Sequence, residues 1–165
     1  MPRLSATDMP ITTVGFNIVL IEPEIPMNTG NIGRLSLASG STLHLVKPFG
    51  FELDDKRLKR AGLDYWKHID IRIHENLSDF FQRNKAAQMA FFSSRAERSF
   101  WDLRYKERMF LVFGRESDGL PKTLTDEHAA QTYHIPMFSD RVRSLNLANS
   151  VSTVVYEGIR QLRMH

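Results

Sequence analysis

Apolar residues in this chain come in short blocks separated by polar, glycine- and proline-marked breaks, and the spacing inside each block separates strand from helix. Phe16 to Ile21 is an apolar run of strand length ending at Glu22-Pro23; it reads as a buried strand, and the proline-rich stretch to Pro26 reads as non-helical. Asn28 and Thr29 are suited to cap a helix from Gly30 to Ser39, with Gly40 at the end where a left-handed residue is needed. Thr42 to Lys47 supplies a second strand, Asp54 to Ala61 a basic helix, and Ile69 to Ile73 a strand with strict alternation. Asn76 to Asn84 reads as a helix. Gln88 to Ser93 and Met109 to Phe113 read as strands, joined by a polar, arginine-rich connection through Trp101. A short helix follows Pro121, and Thr132 to Ile135 is a last strand. Leu147, Val151, Val154, Val155, Ile159 and Leu162 recur at helical spacing, so a long amphipathic helix ends the chain.

Short apolar runs alternating with helices imply an α/β domain, a mostly parallel sheet covered on both faces. The 165 residues fit one such domain, expected over residues 14–165 behind a loosely held extension over residues 1–13. A chain of this size buries roughly 68–70% of its unfolded surface, and with 42% hydrophobic residues it is not intrinsically disordered. The lack of cysteine removes disulfides, thiolate nucleophiles, iron–sulfur clusters and Cys-containing zinc sites. No apolar run approaches the roughly 18 residues of a membrane helix, and none of signal-peptide length follows the N-terminus, so a cytoplasmic protein without membrane contact is expected.

Several familiar chemistries have no signature. Neither Gly-x-Gly-x-x-Gly nor the phosphate-loop pattern occurs, and there is no Gly-x-Ser-x-Gly elbow. The six histidines never stand four apart, so no metal is expected, and His44 inside an apolar strand reads as a hydrogen-bonded structural residue. The net charge is +3, and the end from Arg141 to His165 carries as much alone, with Arg141, Arg143, Arg160 and Arg163 against Glu157. Such a balance permits nucleic-acid binding without demanding it.

Three segments at apparent strand ends, where open α/β sheets bind ligands, are dense in Gly, Asn, Arg and Ser. Asn28-Thr-Gly-Asn-Ile-Gly-Arg34 opens a helix, and its exposed amides and the Arg34 fork suit a phosphate or ribose, although a plain capping turn uses the same residues. In Phe113-Gly-Arg-Glu-Ser-Asp-Gly-Leu-Pro121, Gly114 lets backbone groups meet a flat ligand and Glu116 is an acceptor for amides or an Arg partner; the bland reading is a strand-to-helix turn. The third, Ile135-Pro-Met followed by Arg143-Ser-Leu-Asn-Leu-Ala-Asn-Ser150, has a helix cap in Ser144 or Asn146 and more polar groups than a cap requires.

On these segments, together with Ile18 to Arg34 and Asp54-Asp-Lys-Arg-Leu-Lys-Arg-Ala-Gly-Leu-Asp-Tyr65, the chain resembles the SPOUT class of RNA methyltransferases. Within that class it is similar to the small TrmL-like enzymes, which methylate the ribose 2′-oxygen of the wobble nucleotide in tRNA. The resemblance spans about residues 16 to 163 and has four segments in the same order. It implies a homodimeric SPOUT fold whose C-terminal segment is threaded into a trefoil knot. It also implies S-adenosylmethionine as cofactor, held by Phe92, Gly114, Ile135, Ser144 and Asn149. The substrate it implies is the anticodon stem-loop of tRNA, leucine isoacceptors in particular, with cytidine or a 5-substituted uridine at the wobble position. Arg34 would be catalytic, with Asn28 and Glu116 orienting it or the loops. An arginine is effectively always protonated, so Arg34 is expected to hold a phosphate or lower the 2′-hydroxyl pKa while a phosphate oxygen or water takes the proton. A ribosomal RNA ribose as acceptor, and a non-catalytic RNA-binding α/β module, remain as alternatives.

Overall fold

The computed structural model describes residues 15–53, 56 and 64–163. The expected extension over residues 1–13 and, apart from Lys56, the expected basic helix over Asp54 to Ala61 lie outside the described residues.

Seven strands form one sheet: β1 (Asn17–Ile21), β2 (Thr42–Val46), β3 (Ile71–His74), β4 (Met89–Phe92), β5 (Arg98–Ser99), β6 (Phe110–Phe113) and β7 (Thr132–His134). Their order is β3-β2-β1-β6-β4-β7-β5, and every pair is parallel. Four α-helices accompany them among the described residues: α1 (Pro26–Ala38), α2 (Leu77–Arg83), α3 (Lys122–Glu127) and α4 (Leu147–Arg163).

The apolar runs sort residue by residue onto two faces. Ile18 and Leu20 of β1 pack with Leu43, Leu45 and Leu111 against Ile32 and Leu35 of α1 and Val151, Val154 and Val155 of α4. Val19 and Ile21 point the other way, into a second core with Val112, Phe91, Phe80 of α2 and Leu124 of α3. A parallel strand covered on both faces needs a continuous apolar run rather than alternation, and β1 is buried at all five positions. Burying the large side chains of these clusters contributes about 1.5–3 kcal/mol each. Gly158 lets α4 lie close, because a Cβ there would stand 2.4 Å from the Tyr105 ring and 2.6 Å from Phe16.

Helix α1 begins earlier than the sequence pattern suggests. Pro26 is its first residue, and Ile25 is an N-cap without a side-chain cap bond. The first turn of a helix has no intrahelical partner for its N–H groups, so a proline there loses nothing and its fixed φ fits the helix. Asn28 and Thr29 are therefore buried inside the first turn instead of capping it. Gly40 does take the left-handed conformation, at φ 65°.

Two differences lie at the sheet edges. The alternation of Ile69 to Ile73 suggests one buried row, but Ile73 is 43% exposed on edge strand β3, while Ile69 and Ile71 pack against the first core. The connection through Trp101 contains β5 and a 3-10 turn over Phe100–Asp102. Two polar residues carry no periodicity that marks a strand. His44 is hydrogen-bonded at both nitrogens: Nε2 lies 3.0 Å from Asn17 Oδ1 and Nδ1 lies 3.0 Å from His74 Nε2. Asn17 Nδ2 donates to the Arg108 carbonyl at 2.7 Å, so its Oδ1 accepts from His44, and His74 in turn donates to His44.

Candidate active site

Strands β6, β4 and β7 end beside one another, and the loops that leave them enclose a cavity of about 860 Å³. This is the carboxyl edge of a parallel sheet, next to the point where β1 and β6 separate strands that run outward in opposite directions, the usual binding place in open α/β sheets. Phe92 and Ser93 contribute from the end of β4, Phe113 to Gly119 from β6, and Tyr133 to Ile135 from β7. Ile25 before α1, Asn28 within it, Met137 after β7, and Arg143 to Leu147 with Ser150 at the start of α4 also line it.

The loop after β6 is anchored to the start of α1. Glu116 accepts the backbone N–H groups of Glu24 at 2.8 Å and Ile25 at 3.0 Å, and the Asn28 side-chain amide at 3.2 Å. The carboxylate thereby serves the exposed amides at the head of the helix, as a cap supplied from elsewhere in the chain. Asn28 Oδ1 accepts from Asn146 Nδ2 at 3.0 Å, and Asn146 Oδ1 accepts the N–H groups of Ala148 at 2.9 Å and Asn149 at 3.4 Å. Asn146 is thus the cap of α4. One chain of hydrogen bonds joins two helix N-termini across the cavity floor.

Glu24 reciprocates by accepting the Ser117 N–H at 2.9 Å and the Ser117 hydroxyl at 2.8 Å, and these bonds hold its carboxyl below the usual carboxylate range. Arg115 pairs with Glu22, whose backbone takes the left-handed φ of 51°, a costly conformation for a residue other than glycine. Gly114 is a steric necessity. A Cβ there would meet the backbone of Gly119 at 2.0 Å and of Leu120 at 2.2 Å.

Of the residues expected at the site, Phe92, Gly114, Glu116, Asn28, Ile135 and Ser144 all line this cavity. Asn149 does not: it is exposed on α4, its N–H given to Asn146 and its carbonyl to the Thr153 hydroxyl, while Ser150 takes the lining position. Arg34 is also absent from the lining. It stands on the exposed face of α1 with its guanidinium carbon 5.8 Å from the centre of the Tyr65 ring, and the Tyr65 hydroxyl donates to the Gly30 carbonyl at 3.3 Å. Burial raises the Tyr65 pKa against the opposing pull of Arg34. Arg160, one of the four arginines counted at the basic C-terminal end, is bonded through Nε and Nη2 to Glu157 at 2.9 Å each.

The sequence pattern did not mark Tyr133, which stacks under the Arg98 guanidinium at 5.0 Å, or His134, whose Nδ1 is buried at the cavity without a partner among the described residues. The pairing of Glu22-Pro-Glu24 with Arg115 and Ser117 was also missed; its only signal is two carboxylates flanking a proline. No group of three or more His, Cys, Asp or Glu able to hold a metal exists among the described residues.

Residues 15–156 match the model of the SpoU rRNA Methylase family. A Yersinia pestis protein named tRNA (cytidine(34)-2′-O)-methyltransferase is 46% identical over 152 residues, 88% of this chain and 93% of that one. A structure described as giving insights into the 2-OH methylation of C/U34 on tRNA superposes with a TM-score of 0.83 at 44% identity, covering 93% of this chain and 99% of the other. A Sinorhizobium meliloti rRNA methyltransferase with AdoMet bound has a TM-score of 0.79 at 26% identity, over 90% of this chain and 57% of that one. The seven-stranded parallel sheet, the cavity at its carboxyl edge and a match over most of the length agree: this chain belongs to the SpoU rRNA methylase family.

Proposed function

We propose that this protein transfers a methyl group from S-adenosylmethionine to the ribose 2′-oxygen of the wobble nucleotide of tRNA, cytidine or a 5-substituted uridine. The carrying observation is that six residues expected to bind cofactor or orient the site line one cavity of about 860 Å³, within the size of small-molecule sites. The cavity fits the cofactor in kind. Phe92, Phe113 and Tyr133 offer an apolar wall to a flat base, the backbone at Gly114 and Ile135 offers donors and acceptors, and His134 Nδ1 is a buried polar atom in want of a partner. Phe92, Gly114, Ile135 and Ser144 would hold it. When bound, S-adenosylmethionine supplies an electrophilic methyl group. The path implied by the resemblance, in which the C-terminal segment is threaded into a trefoil knot, belongs to this reading.

What remains for the protein is to place a 2′-hydroxyl and accommodate its proton. Positioning can supply about 7–11 kcal/mol of such a barrier. Arg34 holds a substrate phosphate or lowers the hydroxyl pKa, and a phosphate oxygen or water takes the proton. Asn28 and Glu116, bonded to each other and to the head of α1, are positioning residues. Because Arg34 lies outside its own cavity, beside exposed Met27 and Leu37 on α1, the reading includes a homodimer. The second protomer covers that apolar face and brings its Arg34 to the cavity. The reading also includes the anticodon stem-loop as ligand, leucine isoacceptors as substrates and a cytoplasmic location; among the described residues no helix is long and apolar enough to cross a membrane.

The test is incubation with S-adenosylmethionine and tRNA lacking wobble methylation, then digestion and mass spectrometry for 2′-O-methylcytidine and 2′-O-methyluridine. Arg34→Ala should abolish the product while leaving cofactor binding. Methylation of ribosomal RNA alone, an acceptor that the family's description makes worth including, would overturn the substrate; absence of cofactor binding would overturn the enzyme.

A further inference from the structure

Trp101 and Phe138 are large rings left in solvent, 58% and 88% exposed, with centroids 6.5 Å apart and planes tilted by 33°. A single exposed ring is ordinary; two in contact, with exposed Val142 and Leu145 on the same segment as Phe138, make a patch that marks an interaction. The fold brings the rings together from separate places. Trp101 lies in the turn after β5 and Phe138 in the segment after β7, and these strands are parallel neighbours, so both rings leave the sheet on the edge where the cavity opens. Met137, one residue before Phe138, lines that cavity.

The charge around the rings narrows the partner. Residues 95–104 and 138–145 hold five arginines against three carboxylates, and Arg104, Arg141 and Arg143 are exposed with no carboxylate within 4.0 Å among the described residues. Aromatic rings with arginine occur at protein interfaces too, but three guanidinium groups without carboxylate partners on one patch call for an anionic partner. Unpaired guanidinium groups beside bare aromatic rings are the combination that holds single-stranded nucleic acid, rings for bases and arginines for phosphates.

We propose that Trp101 and Phe138 form a stacking surface for an unpaired nucleobase of the RNA substrate, next to the nucleotide whose ribose enters the cavity. Admitting that ribose pulls its nucleotide out of the loop stack, and the ring pair gives the neighbouring base a replacement. This inference rests on the RNA reading above. Stacking on a ring tolerates any base because each has a π-face, so the surface fixes the position of the loop rather than its sequence.

The experiment uses the full-length protein and an anticodon stem-loop RNA, intact or with an abasic residue at each loop position in turn. W101A/F138A should raise KM for the intact RNA by about 5- to 30-fold, with kcat, cofactor affinity and sedimentation unchanged. One abasic RNA should show the same rise with the wild-type protein and no further rise with the variant. RNA should also quench an emission component that is missing in W101F, and that abasic RNA should not. Unchanged KM, or a change in the sedimenting species in the variant, would overturn the proposal, the latter by making the patch a protein contact. Base-dependent quenching without wobble methylation would sink the wobble reading and keep the stacking surface; neither signal would sink both.

Discussion

The loop from Gly114 to Leu120 and the segment from Pro136 to Leu145 both contribute to the wall of the cavity, yet they are held in different ways. Glu116 accepts three hydrogen bonds from α1 and the residues before it, Ser117 makes two to Glu24, Arg115 pairs with Glu22, and the Gly119 N–H closes the loop on the Arg115 carbonyl at 2.9 Å. In the other segment the one hydrogen bond among the described residues runs from the Arg141 N–H to Ser139 Oγ at 3.2 Å, and residues 138–145 are all exposed. Fixing a backbone residue costs about 1–2 kcal/mol. In the first wall that cost is met during folding; in the second it is left for a ligand to meet. A pre-formed wall suits a small invariant ligand such as a cofactor, and an untied one, Ser144 at its far end apart, suits an RNA loop that must be wrapped.

The largest expected effect comes from cutting the ties of the first wall. Glu116→Ala strands two backbone N–H groups and the Asn28 amide, and hydrogen bonds to a charged group are worth about 1.5–3 kcal/mol each. With partial access to water, a loss near 4 kcal/mol in urea unfolding is expected. Glu116→Gln, which keeps an acceptor, should lose less than half as much. Equal losses in the two variants would mean that the carboxylate contributes its charge alone.

Next is Gly114→Ala. The contacts at 2.0 and 2.2 Å are with backbone, so no rotamer change relieves them and the loop must shift. Overpacking of this kind costs about 1–3 kcal/mol, and calorimetry should show S-adenosylmethionine affinity falling by at least tenfold. Phe138→Ala, in the untied wall, should change neither Tm nor cofactor affinity. If it did, the contrast between the walls would fail.

The frame that carries these walls was largely legible in the chain. Apolar runs such as Phe16 to Ile21 and the helical spacing from Leu147 to Leu162 report burial directly, and burial dictates the layers. Element edges were less so: Pro26 reads as a breaker until it is known to be the first helical residue, where its missing N–H is no loss. The motif segments gathered around the cavity because each follows a strand that ends at the same sheet edge. Arg34 and Asn149 fell outside because helical position sets a direction through the three-dimensional placement of α1 and α4, which spacing along the chain does not contain. Nor could the ties between Glu22-Pro-Glu24 and Arg115 and Ser117 be read, since each partner lies some 90 residues from the other, at |i−j| of 93.

Acid should separate the frame from the ties. Burial, with the neighbouring His74 and Arg72 adding to it, pushes His44 down to about 4. The unfolded chain takes up that proton near pH 6.5 and the folded one only near 4, so this histidine removes up to about 3 kcal/mol of stability as pH drops through that window, and its own share changes no further below it. Global unfolding followed by urea should show this slope, and His44→Gln should reduce it, leaving the smaller part that buried His74 contributes in the same direction. The tie from Glu24 behaves differently: its carboxyl is lowered by the Ser117 bonds, so its contribution is full above the ordinary carboxylate value and fades only as pH falls through its own lower one. Hydrogen exchange at pH 5 should therefore find the Ser117 amide still protected relative to the amides of residues 138–145, even as global stability declines.

The smallest effect tests the untied wall by itself. Arg141 is exposed, its guanidinium bonds to nothing among the described residues, and it lies in the segment that frames the cavity mouth. Arg141→Ala should move stability by no more than about 0.5 kcal/mol, the usual range for a surface substitution without buried partners. Its consequence appears only with RNA. If the guanidinium meets one phosphate when the segment closes on the loop, the slope of log K against log salt should shallow by about 0.7, the value for one contact to a single strand. Affinity at fixed salt should fall only a few-fold. The same substitution at Arg160, already engaged by Glu157, should leave the slope as it was, so a slope unchanged in Arg141→Ala as well would mean that Arg141 of the untied wall meets no phosphate.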